Sequence, residues 1–198
     1  MKKHKILSVA GVLTLVIPLL FGLIPEQVEA TDGIYYVDAA SGDDGNTGTS
    51  PDQAWKTLDK VEQTKFEPGD TIRLHEESVF EDSLYLEGDV NGEGAEGAPI
   101  ILESYGDTGG KARIDGNGGA LIPAITSQKY HSTVTLYNAS HWTIRNLEIT
   151  NIKEGENPEI EKSFDNRVGL YVLAKGNGLT QDIHVDDVYV HDVNGHVH

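Results

Sequence analysis

The chain has 198 residues, enough for one domain or a little more, and its 15 Lys plus Arg stand against 32 Asp plus Glu, a formal charge of −17. So acidic a chain is excluded from ordinary nucleic-acid binding, which rests on neutralising phosphates with Lys and Arg; a hydrophobic content of 38% is too low for a polytopic membrane protein yet enough for a core. The absence of Cys excludes disulfides, thiol catalysis and Cys-based zinc sites, and 22 Gly among scattered Tyr, Val and Ile point to many short strands joined by turns.

Residues 1–5, MKKHK, form a short basic stretch ahead of an apolar run over 6–24 that closes on Pro25 and the small-residue pattern Val28-Glu29-Ala30. This reads as a secretory signal over 1–30, with cleavage after Ala30, and so as a secreted, extracellular chain with no membrane contact after cleavage. An uncleaved anchor is the rival, since about twenty apolar residues span a bilayer. Pro18, Gly22 and Pro25 interrupt the run and favour the signal. The remaining chain carries a formal −18, because the first thirty residues hold three Lys and two Glu.

Residues 31–69 read as a strand, a loop and a helix. Ile34-Tyr35-Tyr36-Val37 is a short strand, followed by the turn-rich DAASGDDGNTGTSPDQAW. In that loop Asp38, Asp43, Asp44 and Asn46 offer closely spaced oxygens of the kind Ca²⁺ takes in sets of six to eight, although the spacing is not that of an EF-hand; the alternative is a solvated loop of Asx turns. Ser50-Pro51-Asp52-Gln53 has the form of a helix start, with Ser50 as cap and Pro51 at the first helical position. Ala54, Leu58 and Val61 then share a face of a helix over 51–64, placed to cover the first layer of strands. Pro68-Gly69-Asp70 makes a turn before the strand over 71–74.

Residues 70–198 carry no further helical pattern. Strand-like pieces recur at 84–86, 99–103, 112–115, 133–138, 142–150, 168–173 and 183–191, nearly all separated by Gly, Asn or Asp. Residues 144–152 align with 185–193, every apolar position on an apolar one, with Asn146 meeting Asp187 and Asn151 meeting Asp192. Leu136-Tyr137 likewise aligns with Leu170-Tyr171. Offsets of this size signal a solenoid or a propeller, and the scarcity of hairpin turns favours the solenoid. The pattern predicts an all-β fold: a right-handed, single-stranded parallel β-helix with an N-terminal capping helix. Ile144 should stack on Val185, Leu147 on Val188 and Ile149 on Val190, one strand spacing of about 4.8 Å apart. The last strand carries no sequence that reads as a cap, so the coils read as incomplete at the C-terminal side, with an exposed edge prone to pairing between chains.

Several pieces together resemble the N-terminal portion of the pectate-lyase-like superfamily: Tyr35-Tyr36-Val37 with Ser41-Gly42-Asp43 and Gly48-Thr49, Ala54-Trp55-Lys56-Thr57-Leu58, Pro68-Gly69-Asp70-Thr71-Ile72, Gly97-Ala98-Pro99-Ile100, Tyr105-Gly106, Ile114-Asp115-Gly116 and residues 142–151. The resemblance implies a secreted polysaccharide-active protein, a lyase or glycoside hydrolase when complete. The alternatives are a non-catalytic extracellular glycan-binding or surface protein, and an inactive N-terminal fragment of a larger enzyme. Sugar lyases of that kind hold Ca²⁺ with Asp on the coil surface and use a Lys or Arg base. The implied ligands here are Asp182, Asp186, Asp187 and Asp192, with Lys175, Arg145 and Trp142 as substrate-binding candidates; the same Asp residues also suit turns and solvated strand faces.

Three more features stand apart. His184, His191, His196 and His198 are candidate transition-metal ligands or surface histidines. The insertion at 153–167, KEGENPEIEKSFDNR, is either a groove wall or a tolerated loop. Tyr130, Trp142, Tyr171 and Tyr189 either stack on sugar rings or pack internally.

Overall fold

The computed structural model describes residues 33–122, 130–153, 155, 166–176 and 180–193. Residues 1–30, read above as a secretory signal, together with His196, His198 and most of the insertion at 153–167, lie outside the described residues. Among the described residues no helix is long and apolar enough to cross a membrane.

The architecture is all-β with little helix. Strands β1 (Ile34–Val37), β2 (Thr71–His75), β3 (Val79–Phe80), β5 (Ile100–Tyr105), β6 (Ala112–Asp115), β9 (Trp142–Asn151) and β11 (Ile183–Val193) form one long sheet, while β4 (Leu84–Glu87), β8 (Tyr130–Tyr137) and β10 (Asn166–Leu173) form a second. All pairings among these strands are parallel. The exception in the second sheet is the two-residue β7 (Ala120–Leu121), antiparallel to β8. Both sheets curl onto one apolar core.

The predicted register between the last two long strands holds: Ile144 pairs with Val185, Leu147 with Val188 and Ile149 with Val190. The same rows run on through the earlier strands. Ile72, Leu102 and Ile144 form one buried ladder, Ile114 and Ile149 another, and Leu86 and Leu136 a third on the second sheet. Each such side chain contributes about 1.5–3 kcal/mol by leaving water. At β11 the ladder reaches an edge: Val185 is 50% and Val190 43% exposed, and among the described residues β11 pairs only with β9.

β9 also shows how the long sheet turns a corner. Its first half, Trp142 to Arg145, lies beside β5 and its second half, Leu147 to Thr150, beside β6. β5 and β6 are separated by residues 106–111, whereas β9 turns the same corner at Asn146 alone, with φ of 52°. β11 repeats the corner at Asp187, φ 50°. Asn and Asp tolerate this left-handed backbone better than other side chains do, so the alignment of Asn146 with Asp187 marks a shared bend. Asn151, aligned with Asp192 in the sequence, does not share its left-handed bend: it lies in β9, fully buried, and its amide donates to the carbonyls of His131 (3.2 Å) and Val168 (2.9 Å).

The helix predicted over 51–64 is not formed as such. A single 3₁₀ turn covers Pro51–Gln53, and α1 covers only Leu58–Glu62. Ser50 makes no side-chain capping bond; Thr57 is the cap, its hydroxyl accepting from the Lys60 N–H at 3.3 Å. The reason lies in residues 54–56. Trp55 forms a parallel bridge to Val37, with its N–H on the Tyr36 carbonyl at 2.9 Å, and this holds the chain extended where a helix would have to continue. Leu58 and Val61 are buried as expected, but five residues do not make the capping helix the sequence suggested. A second short helix, α2 (Gly88–Asn91), occurs where no helix was expected.

Candidate functional site

In a strand, alternate residues face opposite ways, so the ladder of buried side chains in the long sheet implies a second ladder on its outer face. The register places Tyr36, Arg73, Glu103, Arg145 and Asp186 side by side on β1, β2, β5, β9 and β11. Glu103 is the keystone. One carboxylate oxygen accepts from Arg73 Nε at 2.9 Å, and the other accepts from Arg145 Nε and Nη2 at 2.8 and 2.6 Å. Glu103 and Tyr36 hold the Arg73 guanidinium above its ordinary pKa, although burial opposes this.

Beside this row the rings of Tyr36, His75 and Tyr105 meet edge to face, with centroids 5.0 Å apart for Tyr36–Tyr105 and 5.2 Å for His75–Tyr105. They border a shallow depression of about 610 Å³, bounded further by Glu76, Glu77, Asp107 and Thr108. Burial, with Asp38 and Tyr36 nearby, pushes the Tyr105 phenol up to about 12. Glu76 shapes the wall: its carboxylate accepts from the Thr108 N–H at 2.7 Å and the Gly110 N–H at 3.0 Å, and the Thr108 bond leads in holding its pKa down. A Cβ on Gly106, whose φ is 150°, would lie 2.1 Å from the Glu76 carboxyl carbon, so this corner requires glycine.

Farther along the same face, Arg113, Glu148 and Tyr189 share a row on β6, β9 and β11. The His191 ring lies between two carboxylates, Nε2 to Glu148 Oε1 at 3.0 Å and Nδ1 to Asp192 Oδ2 at 2.8 Å, and it stacks on Tyr189 at 4.3 Å. Burial works against the charged ring, but the two carboxylates prevail and raise its pKa.

The sequence-derived sites are distributed differently. Asp182 pairs with His141 at 3.0 Å, Asp187 with Lys111 at 2.7 Å and Asp192 with His191, each Asp in left-handed backbone. These three carboxylates recur every five residues, Asp182 just before β11 and the other two within it, each on its own partner, and Asp186 stands on the outer row beside Arg145. Among the described residues no three His, Asp or Glu side chains converge so as to hold a metal ion. His184 and His191 are likewise apart, His184 lining a small depression with His141 and Asp182.

In the N-terminal loop, Asp38 accepts from the Ala40 and Ser41 N–H groups, Asp43 from Gly45, and Asp44 from the Lys56 and Thr57 N–H groups at 2.8 and 3.0 Å. Asn46 donates to the Ala54 carbonyl at 3.0 Å. The loop is therefore tied by its own backbone, as Asx turns are. Burial raises the Asp38 and Asp44 pKa values, but hydrogen bonds from Ser41 and Thr57 and from these N–H groups outweigh it, so both are lowered overall. A depressed carboxyl stabilises the fold above its unfolded value near 4 and loses that contribution as the pH falls through the lower folded value. Stability is thus expected to fall below about pH 4. At neutral pH Asp44→Asn should cost about 1 kcal/mol after discounting for solvent; chemical denaturation of both proteins at pH 7 and pH 3.5 should find the difference smaller at the lower pH.

Trp142 is corrected outright. It is fully buried, edge-on to Phe66 at 6.3 Å, with its indole N–H on the Gly92 carbonyl at 3.1 Å, so it is a core residue and not a surface for substrate. Arg145 is on the outer face but bound to Glu103. Lys175 lies exposed in the connection after β10, its N–H on Asn138 Oδ1 at 2.8 Å. Sequence reasoning missed Arg73, Glu103, Tyr105, Lys111 and Glu148. Their signal was the outward phase of each strand, readable only once the register across strands is known.

No family model matches the chain. It is 29% identical to the lacto-N-biosidase of Bifidobacterium longum subsp. longum over 83% of this chain and 12% of that protein. It is 34% identical to the alpha-1,3-galactosidase A of Akkermansia muciniphila over 39% of this chain and 13% of that protein. The chain therefore spans only about an eighth of the curated relatives it matches. The crystal structure of the GH136 lacto-N-biosidase from Eubacterium ramulus superposes with a TM-score of 0.68 at 33% identity, covering 82% of this chain and 27% of that one. These findings correct the expected kinship. The motifs read as pectate-lyase-like reflect stacked parallel strands and their turns, which unrelated activities share, whereas the detected similarity in sequence and structure runs to GH136 lacto-N-biosidases.

Proposed function

We propose that this chain is part of a carbohydrate-active protein of the GH136 lacto-N-biosidase kind, built as a right-handed parallel β-helix, and that a glycan lies along the outer face of its long sheet. The observation that carries this reading is the likeness to the Eubacterium ramulus enzyme, 33% identity with a TM-score of 0.68 over 82% of the chain. The outer face supports it chemically, since it sets the rings of Tyr36, His75 and Tyr105 beside a row of hydrogen-bonding Arg and Glu side chains. In this reading residues 1–30 export the protein.

The part played by the described residues is to hold and orient glycan. Glycoside hydrolysis requires two carboxyl groups flanking the scissile bond, about 5–5.5 Å or 6.5–9.5 Å apart, one of them protonated. On this face Glu103, Glu148, Asp187 and Asp192 each already contact a basic side chain. A second reading, hydrolysis by this chain itself, draws on Glu148 and Asp192, two carboxylates on one face. It is weaker because the His191 ring occupies the space between them.

Titration of the purified chain with lacto-N-biose, followed by saturation-transfer NMR, is expected to show saturable binding, with no 4-nitrophenol released from 4-nitrophenyl β-lacto-N-bioside. Absence of binding up to millimolar sugar would overturn the glycan reading. Release that disappears in Glu148→Gln would establish the second reading instead.

A further inference from the structure

We infer that the depression beside Tyr36 and Tyr105 is a subsite for an uncharged hexose or N-acetylhexosamine unit, one that turns acidic sugars away. This rests on the carbohydrate reading above and adds to it a location and the exclusion of acidic sugars from it.

The location follows from three adjacent strands. β1, β2 and β5 run in parallel register, and their C-terminal ends place Tyr36, His75 and Tyr105 around one hollow. At about 610 Å³ it falls within the range of small-ligand sites, about 300–1,000 Å³. Sugars present C–H faces that suit aromatic rings and hydroxyls that need donors and acceptors, and here both are at hand. The rings pack edge to face, so each is held by its neighbour rather than left to rotate. The wall at 106–110 is built in advance, since Glu76 ties it through two backbone N–H groups. A preformed wall loses little entropy when a ligand binds.

The class follows from charge. Glu77 and Asp107 stand exposed at the rim. Arg73 is the guanidinium of the hollow, and it is already bound to Glu103 at 2.9 Å. A sugar carboxylate would therefore meet two carboxylates and a cation whose charge is already matched. A neutral sugar meets the same carboxylates as acceptors for its hydroxyls. The overall charge of −17 adds to the discrimination at long range.

The test is a titration of the full chain with lacto-N-biose and, separately, with digalacturonate, observed through the aromatic Tyr and His resonances. Lacto-N-biose is expected to bind saturably and shift Tyr and His signals, and digalacturonate to bind at least tenfold more weakly. Tyr105→Ala should weaken lacto-N-biose binding at least tenfold. Asp107→Ala, at the exposed rim where folding is not at stake, should weaken it severalfold while circular dichroism stays unchanged. Wild-type affinity in Asp107→Ala and in any folded Tyr105→Ala would overturn the subsite while leaving the glycan reading standing. Equal affinity for digalacturonate would overturn the class. Failure of the wild-type chain to bind either sugar would overturn the glycan reading itself, and the subsite with it.

Discussion

Trp142→Ala is expected to destabilise the fold by about 3–5 kcal/mol, the range for large aromatic truncations in a core. Trp142 is fully buried between Ile100 and Ile183 in the sheet register, and it meets Phe66 edge-on. Its removal leaves a cavity that a parallel sheet cannot easily close, because every strand is tied to its neighbours by the ladder. It also strips the Gly92 carbonyl of the indole N–H it accepts at 3.1 Å. Total stability of a domain is about 5–15 kcal/mol, so the variant should sit near the edge of folding. A fall in Tm of roughly 6–20 °C follows for a domain of this size. Tyr189→Ala, at a side chain 58% exposed, should change the same melt by far less. A loss below about 1 kcal/mol in Trp142→Ala would show that this strand is not packed as described.

The second large effect is expected at Asn91, which is 1% exposed and joins two short helices to the rest. Its side-chain oxygen accepts from the Glu87 N–H at 2.9 Å, while its amide donates to the Glu62 and Thr64 carbonyls at 2.8 and 3.0 Å. Alanine leaves three backbone groups with these bonds unmade, and each unsatisfied buried group costs about 1–3 kcal/mol. Local relaxation recovers part of this, so Asn91→Ala should cost about 2–4 kcal/mol in urea unfolding. Asn91→Asp should do no better at neutral pH, since a carboxylate would face the Glu62 and Thr64 carbonyls in place of a donor. Full stability in Asn91→Asp would mean that the amide donates nothing of consequence.

The pairing of 144–149 with 185–190 was legible because both strands keep their apolar positions in step through a shared bend, Asn146 over Asp187, whereas beyond Val190 the register shifts and Val193, not Asp192, pairs with Asn151. A repeat of that kind is local, and one alignment exposes it. The short α1 was not legible. Ser50, Pro51 and Gln53 carry a valid helix-start pattern, but the bridge from Trp55 to Val37 outweighs it, and nothing within 51–64 announces a partner strand. The dispersal of the later Asp group was not legible for a related reason. Its carboxylates are close in sequence and look convergent, yet Asp182, Asp187 and Asp192, each at a bend, reach three different basic neighbours, His141, Lys111 and His191.

The sequence by itself determined the class: an acidic, Cys-free, Gly-rich chain of short strands, parallel where it repeats, because composition and apolar phase act over a few residues and need no partner to be read. The tertiary structure alone decided the outer face. Glu103 finds Arg73 thirty residues before it and Arg145 forty-two residues after it, since the loops between strands differ in length and no fixed period links neighbours across the sheet. The burial of Trp142 and the gathering of Tyr36, His75 and Tyr105 around one hollow were decided in the same way. Both depend on which strands lie side by side, and connections of unequal length between the strands set that.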